Sequence, residues 1–380
     1  MPRHPKKWKK ALTGAVILTA AACIVGSGAS NFGALADRAA MLSVGLAFPE
    51  GGLSLLGGNG QALVQEGTHA AAAPPNETSE PPTVSAASSQ PASSAAASSM
   101  PESPAEASQA PAPTEVPEDQ RGPIQEQKLA TASGDNFENV WVKNTTGRAI
   151  SIQEELQKQP DINMRTDGPK VLIMHTHTTE GYELFDRGYY DKSYSIRTTN
   201  ATQSVVRVGD EIQKALEAQG IGVIHDTTVH DYPAYNGSYG RSADTVKAQL
   251  EKNPSIQVVL DIHRDGITSE DGTRVKPTVE IDGKKAAQVM IIAGCESQSV
   301  SHPDWELNLR LAMRLQQSLA TNFPDLARPL KFMNANYNQN LTHGSILIEM
   351  GSEANTLDEA MYSGQMVGEA LGQVLNQLKE

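Results

Sequence analysis

Cysteine is nearly absent: the 380 residues hold two, Cys23 and Cys295. Cys23 lies in an apolar N-terminal segment, so Cys295 has no partner in the remainder and the fold must form without a disulfide framework. Aromatic residues make up only 5% of the chain. Basic residues are outnumbered, 31 Lys and Arg against 44 Asp and Glu, for a net charge of −13, which argues against nucleic acid as a partner. Large apolar residues almost vanish from about Gly67 to Pro123, where Ala, Pro, Ser and Glu dominate. Such a stretch buries too little surface to offset its chain entropy, and its prolines make it a semi-extended linker. No internal repeat is present.

The N-terminus holds the one long apolar run. Arg3, Lys6, Lys7, Lys9 and Lys10 precede Ala11 to Ala29, which is almost wholly apolar or small. That length spans a bilayer, and the basic flank predicts a cytoplasmic N-terminus with the rest of the chain exported. A cleaved signal peptide is the alternative, with Ser27-Gly28-Ala29 as small residues for cleavage. Ala40 to Gly58 is weakly apolar but broken by Pro49, Glu50 and glycines, and reads as an irregular membrane-proximal stretch. The expected division is a basic tail and single transmembrane segment over 1–30, a linker over 31–123, a lead-in arm over 124–168 and a catalytic domain over 169–380.

From Lys170 onward strands and helices alternate. Val171 to Met174, Ile221 to His225, Ile256 to Ile262, Gln288 to Ala293 and Ser345 to Met350 read as strands. Ala201 to Ala218, Ser242 to Lys252 (Ser242 as N-cap), Asp304 to Phe323 and Thr356 to Leu378 read as helices. Thr278 to Met290 reads as a hairpin about Asp282-Gly283. The alternation predicts an α/β fold with a mixed, largely parallel central sheet flanked by helices.

Three strand ends carry chemistry. Val171-Leu172-Ile173-Met174 runs into His175-Thr176-His177-Thr178-Thr179-Glu180, and His177 and Glu180 stand in H-x-x-E spacing. An imidazole and a carboxylate so spaced on a tight loop reach one ion, and Zn²⁺ accepts that mixture with a third ligand from elsewhere. His263 follows another buried strand and supplies that third ligand. Glu349 ends a third, placed to take a proton from water and return it to a leaving nitrogen. Its sequence neighbours provide no cation to pair with it. His175 and Asp261 are candidates for orienting an imidazole, with a plain structural role as the alternative. His225, His230, His302 and His343 read as solvated loop residues. The loop 230–242 is rich in tyrosine, and Tyr232, Tyr235, Tyr239 and Arg241 are candidates for a groove binding a carboxylate-bearing polymer. The bland alternative packs the tyrosines onto the loop and pairs Arg241 with Asp231. Tyr182, Tyr189, Tyr190 and Tyr194 are candidates for the opposite wall.

These segments, with His302-Pro303-Asp304-Trp305-Glu306-Leu307-Asn308-Leu309, Tyr337-Asn338-Gln339, Ile348-Glu349-Met350-Gly351 and Asn355-Thr356-Leu357, resemble the stage II sporulation protein P family from about Trp141 to the C-terminus. The resemblance implies a zinc N-acetylmuramoyl-L-alanine amidase that also cuts peptide cross-links in peptidoglycan. It implies a role in forespore engulfment at the septal space, with stage II sporulation proteins D and M as partners and a zinc amidase or carboxypeptidase-like fold. It further implies His177 and His263 as ligands and Glu349 as catalytic. Many cell-wall amidases carry their ligand Glu at the helix after the first strand. Here that place reads Thr199-Asn200-Ala201-Thr202, so Glu180 is assigned, with Glu183 as substitute. The rival readings are a zinc peptidase acting only on stem peptides and a catalytically silent wall-binding scaffold.

Overall fold

The structure is a computed structural model that describes residues 115–296 and 301–379. The expected transmembrane segment and most of the linker lie outside these residues. Among the described residues no helix is long and apolar enough to cross a membrane.

Twelve strands form two sheets among the described residues. The main sheet has the order β2 (Asp135–Phe137), β3 (Val140–Asn144), β11 (Leu330–Met333), β10 (Val289–Gly294), β12 (Gly344–Ser352), β7 (Val258–Asp265), β4 (Val171–Met174), β6 (Val223–His225). Only β2–β3 and β10–β12 pair antiparallel; every other neighbour is parallel. The expected mixed, largely parallel sheet is therefore what forms. A second sheet runs β5 (Tyr189–Asp191), β1 (Arg121–Gln127), β8 (Arg274–Ile281), β9 (Lys284–Ala287). The chain expected as the linker's end and lead-in arm thus supplies β1, β2 and β3, and helix α1 (Ile152–Gln157).

Alternation across the main sheet is strict, because successive side chains of a strand point to opposite faces. Val142, Leu330, Phe332, Val289, Ile291, Ile346, Ile348, Leu260, Ile262, Val171 and Ile173 join one core. Helices α2 (Val205–Glu217), α4 (Trp305–Asn322) and α5 (Leu357–Gln377) contribute their apolar sides to that core. Thr356 and Glu359 form a reciprocal capping box at the start of α5. On the opposite face α3 (Ser238–Lys252) lays Val246 against Leu172, Met174 and Val259. Ser242, expected as the N-cap of this helix, lies inside it, buried and within 2.8 Å of the Thr176 hydroxyl.

β12 is irregular immediately after Glu349, where its register on β7 shifts. Gly351 sits there with φ of +74°, and a Cβ would come within 2.6 Å of Asn355 Oδ1 and 2.7 Å of the Ala287 Cβ. Only glycine meets both demands. Gly351→Ala is expected to lower stability by about 2 kcal/mol or more, seen as an earlier urea midpoint with unchanged slope.

Candidate active site

β4, β7 and β12 run parallel and end at one edge of the sheet, where His177, His263 and Glu349 meet. Glu349 lies directly opposite His263 in the strand pairing. Asp261, His263 and Asp265 share one face of β7 by alternation.

The loop after β4 is fixed from three sides. Asp261 accepts from the Thr176 amide at 2.8 Å and hydroxyl at 2.7 Å. His230 Nδ1 donates to the His175 carbonyl at 2.7 Å. Asp231 accepts from the Thr179 amide at 3.1 Å, the Thr179 hydroxyl at 2.7 Å and Arg197 at 2.9 Å. Asp231→Ala would orphan these buried donors. It is expected to cost about 3 kcal/mol and to speed amide exchange in 176–180 more than elsewhere.

The His177 and His263 rings stand perpendicular with centroids 5.3 Å apart. Two imidazoles on one tetrahedral zinc, with Zn–N of about 2.0–2.1 Å, place their ring centres about 5 Å apart. His177 Nδ1 is buried without a hydrogen-bond partner, and so is His263 Nε2. The latter lies 2.9 Å from Asp261 Oδ1 and is ion-paired with it. Glu349 Oε2 is equally unpartnered.

Electrostatics give the two histidines opposite characters. Burial, then the charge on His263 and Arg197, holds His177 neutral, well below the ordinary imidazole range. Burial also opposes charge on His263, but Asp261, Glu180 and Glu349 outweigh it and raise it to about 10. The carboxylates therefore keep a positive charge at this point, a place that a divalent cation takes when it displaces the proton. Two facing imidazoles, a His177 Nδ1 without a partner and surplus carboxylate fit a zinc donor set. The third donor is not drawn in: among the described residues no three His, Cys, Asp or Glu side chains are gathered closely enough to hold an ion. Glu180 Oε2 lies 3.7 Å from His263 Nδ1 and accepts from the Arg264 amide at 2.9 Å. Glu183 stands between Arg187 at 3.6 Å and Arg274 at 3.5 Å, a pairing that serves structure instead.

Several expectations change. Arg241 spends its guanidinium on the carbonyls of His230, Ala234 and Asn236, so it clamps its own loop and is not available to a substrate. Tyr235 stacks on His177 with centroids 4.5 Å apart, and Tyr239 meets the same ring edge-on at 5.7 Å. Tyr232 is 63% exposed and makes no described ring contact with the site. Tyr182 is core, its hydroxyl donating to the Met350 carbonyl, while Tyr189 and Tyr190 belong to β5. His225, His230 and His302 are not solvated: His225 is packed between His175 and Asp210, and the other two are buried. His343 is the exposed one. His175 Nδ1 donates to the Ile262 carbonyl at 2.9 Å, tying the end of β4 to β7. Glu349 does have cations in reach, Arg328 and His263, contrary to its sequence neighbourhood. Reasoning from sequence offered Asp231 only as a partner for Arg241, whereas it pairs with Arg197, and it missed Arg197 and Arg328. Only Asp231 carried a signal, through its place beside His230 at the head of the tyrosine loop.

A sequence profile for the family described as Stage II sporulation protein P (SpoIIP) matches residues 53–372. The chain belongs to this family. Stage II sporulation protein P of Bacillus subtilis (strain 168) is 31% identical over 217 residues, covering 54% of this chain and 51% of that protein. The chain thus spans about half the length of the curated relative it matches. Solved structures that align include an N-acetylmuramoyl-L-alanine amidase, AmiC2, of Nostoc punctiforme, at 13% identity and TM-score 0.30, covering 56% of this chain and 98% of that one. Another is the N-acetylmuramoyl-L-alanine amidase of Clostridium difficile 630, at 16% identity and TM-score 0.33, covering 56% and 97%. Likeness at that level carries no argument about activity.

Proposed function

We propose that this member of the family is a zinc-dependent peptidoglycan hydrolase, an N-acetylmuramoyl-L-alanine amidase that also acts on peptide cross-links, working on the wall during sporulation. The observation that carries this reading is the perpendicular pair His177 and His263, with His177 Nδ1 and, on the next strand, Glu349 Oε2 both buried without a hydrogen-bond partner. His177, His263 and Glu180 would hold the zinc. When bound, it supplies a Lewis acid and brings the pKa of water toward neutrality.

The chain's own residues do the rest. Glu349, in its ionised form, takes a proton from the attacking water and passes it to the departing nitrogen. Asp261 and Asp231 hold the His175–Glu180 loop so that His177 keeps its place opposite His263. Tyr235 and Tyr239 wall the site and exclude bulk water from one side. We further propose that Ala11 to Ala29 anchors the chain with this domain outside the cytoplasm, and that stage II sporulation proteins D and M are its partners.

The test is digestion of defined muropeptides by residues 115–380 with and without zinc, the products weighed. Release of intact stem peptide that stops with chelator and returns with zinc is the expected result. Cleavage confined to bonds within the stem peptide would make the protein a peptidase. Wall binding without hydrolysis would make it a scaffold.

A further inference from the structure

The reversal of direction between β12 and β10 gives the site a second half that the proton transfers above do not use. β4, β7 and β12 end at the site edge, whereas β10, β11 and β3 run the other way and begin there. Their core-facing residues, Val289, Ile291, Leu330, Phe332 and Val142, are accounted for. The intervening residues lie on the face of His263 and Glu349. Met290 pairs with Glu349, Ile292 with Leu347, Lys331 with Ile292, and Lys143 with Lys331. An apolar floor therefore leads from the catalytic carboxylate to two lysines in adjacent register. Lys331 is half-buried and Lys143 exposed.

A third cation stands behind them. Arg328, just before β11, bonds Asp265 at 3.0 Å through one nitrogen, while its Nε and Nη2 are buried without any hydrogen-bond partner. One carboxylate partner leaves most of this guanidinium unused, and a buried donor without a partner is costly to keep. The chain as a whole carries −13, so an acidic ligand is repelled by most of its surface and needs local cations to settle.

Resting on the peptidoglycan reading above, we propose that Lys331, with Lys143 outside it and Arg328 behind it, receives a free carboxylate of the substrate's acidic stem peptide. The protein would then select peptides whose carboxyl group near the scissile amide is not amidated. Met290 and Ile292 would carry the intervening apolar atoms. Burial and the neighbouring Lys143 push the Lys331 ammonium down to about 8 against the pull of Asp265 and Glu349, and a bound carboxylate would favour its charged form.

The experiment compares a muropeptide bearing the free carboxyl with its carboxamide twin, on wild type, Lys331→Met and Lys331→Met/Lys143→Met. Methionine keeps the apolar stem of the half-buried Lys331 and of the exposed Lys143. The wild type is expected to show a KM about tenfold lower for the acid form. Lys331→Met should raise that KM to the amide value, with the loss in KM rather than kcat. Binding of both ligands is also measured by calorimetry on the Glu349→Gln background. There the acid form should lose about tenfold in affinity on Lys331→Met while the amide form does not change. Equal handling of acid and amide by the wild type, or a preference that survives Lys331→Met, overturns the proposal. Absent hydrolysis with a preserved, Lys331-dependent acid preference in calorimetry would instead strike the amidase reading.

Discussion

Glu349→Gln is expected to lower muropeptide hydrolysis by about a hundredfold to ten-thousandfold while zinc occupancy stays near that of the wild type. The amide keeps the shape of the carboxylate but accepts no proton at neutral pH. Glu349 Oε2 has no hydrogen-bond partner, so the substitution breaks no bond there. The metal-free protein should even gain stability. Burial, with Asp265 and Glu180 adding to it against His263 and Arg328, raises the carboxyl from 4.5 to about 8. A carboxyl raised on folding binds more protons in the native state than in the unfolded one across that window. Stability of the metal-free wild type therefore falls as pH climbs from about 4.5 to about 8, and the Gln variant lacks this contribution. Thermal melts of both proteins across that range, with zinc removed, should diverge as pH rises. Parallel curves would mean that Glu349 is not the strained group. Loss of zinc on Glu349→Gln would make it a ligand rather than a base.

How much of this was legible beforehand depends on the range over which the information acts. Val171 to Met174 is apolar on both faces and bounded by a turn, and it is a strand over those residues. The helices expected over Asp304–Phe323 and Thr356–Leu378 form as Trp305–Asn322 and Leu357–Gln377, because an apolar stripe recurring at the helical period is a local property. β11 was not legible: Leu330-Lys331-Phe332-Met333 is four residues long and becomes a strand only because β10 and β3 flank it. Its lysine faces the site for the same reason. Arg197 lies in a polar loop with no periodicity, and its place beside Asp231 is set by a pairing between Glu180 and Arg197 backbone. The burial of His230 was also hidden. A histidine followed by Asp, Tyr and Pro reads as surface, yet its ring is locked between the His175 carbonyl and the Thr245 hydroxyl. The tyrosine loop was expected to line a substrate groove with Tyr232, Tyr235, Tyr239 and Arg241. Instead the arginine holds the loop in shape while Tyr235 reaches His177.

The two histidines should fail in different ways when removed, though both losses are expected to end hydrolysis. On the proposed zinc reading, His177→Ala and His263→Ala each remove a ligand and not merely its support, and are each expected to weaken zinc by more than about a hundredfold. Their effects on the metal-free fold diverge. His177 is neutral and its Nδ1 is unpartnered, so alanine there removes the stack on Tyr235 and the 3.1 Å hydrogen bond between Nε2 and the Tyr235 hydroxyl. His263 carries the charge that faces Asp261, Glu180 and Glu349. Alanine there leaves Asp261 and Glu180 buried without the positive charge that faces them, which is more costly than losing ring contacts. The sign follows from the raised value. The proton on His263 stabilises the fold fully below its unfolded value of 6.5, and that contribution is lost as pH rises through about 10. Below pH 6.5, then, metal-free His263→Ala should unfold at a clearly lower temperature than metal-free His177→Ala. The gap should narrow as pH rises through the alkaline range. A melt series on the two variants, with zinc content determined on the same preparations, decides it. Equal melting temperatures at every pH would mean that His263 does not hold the charge, and retained zinc in either variant would remove that residue from the ligand set.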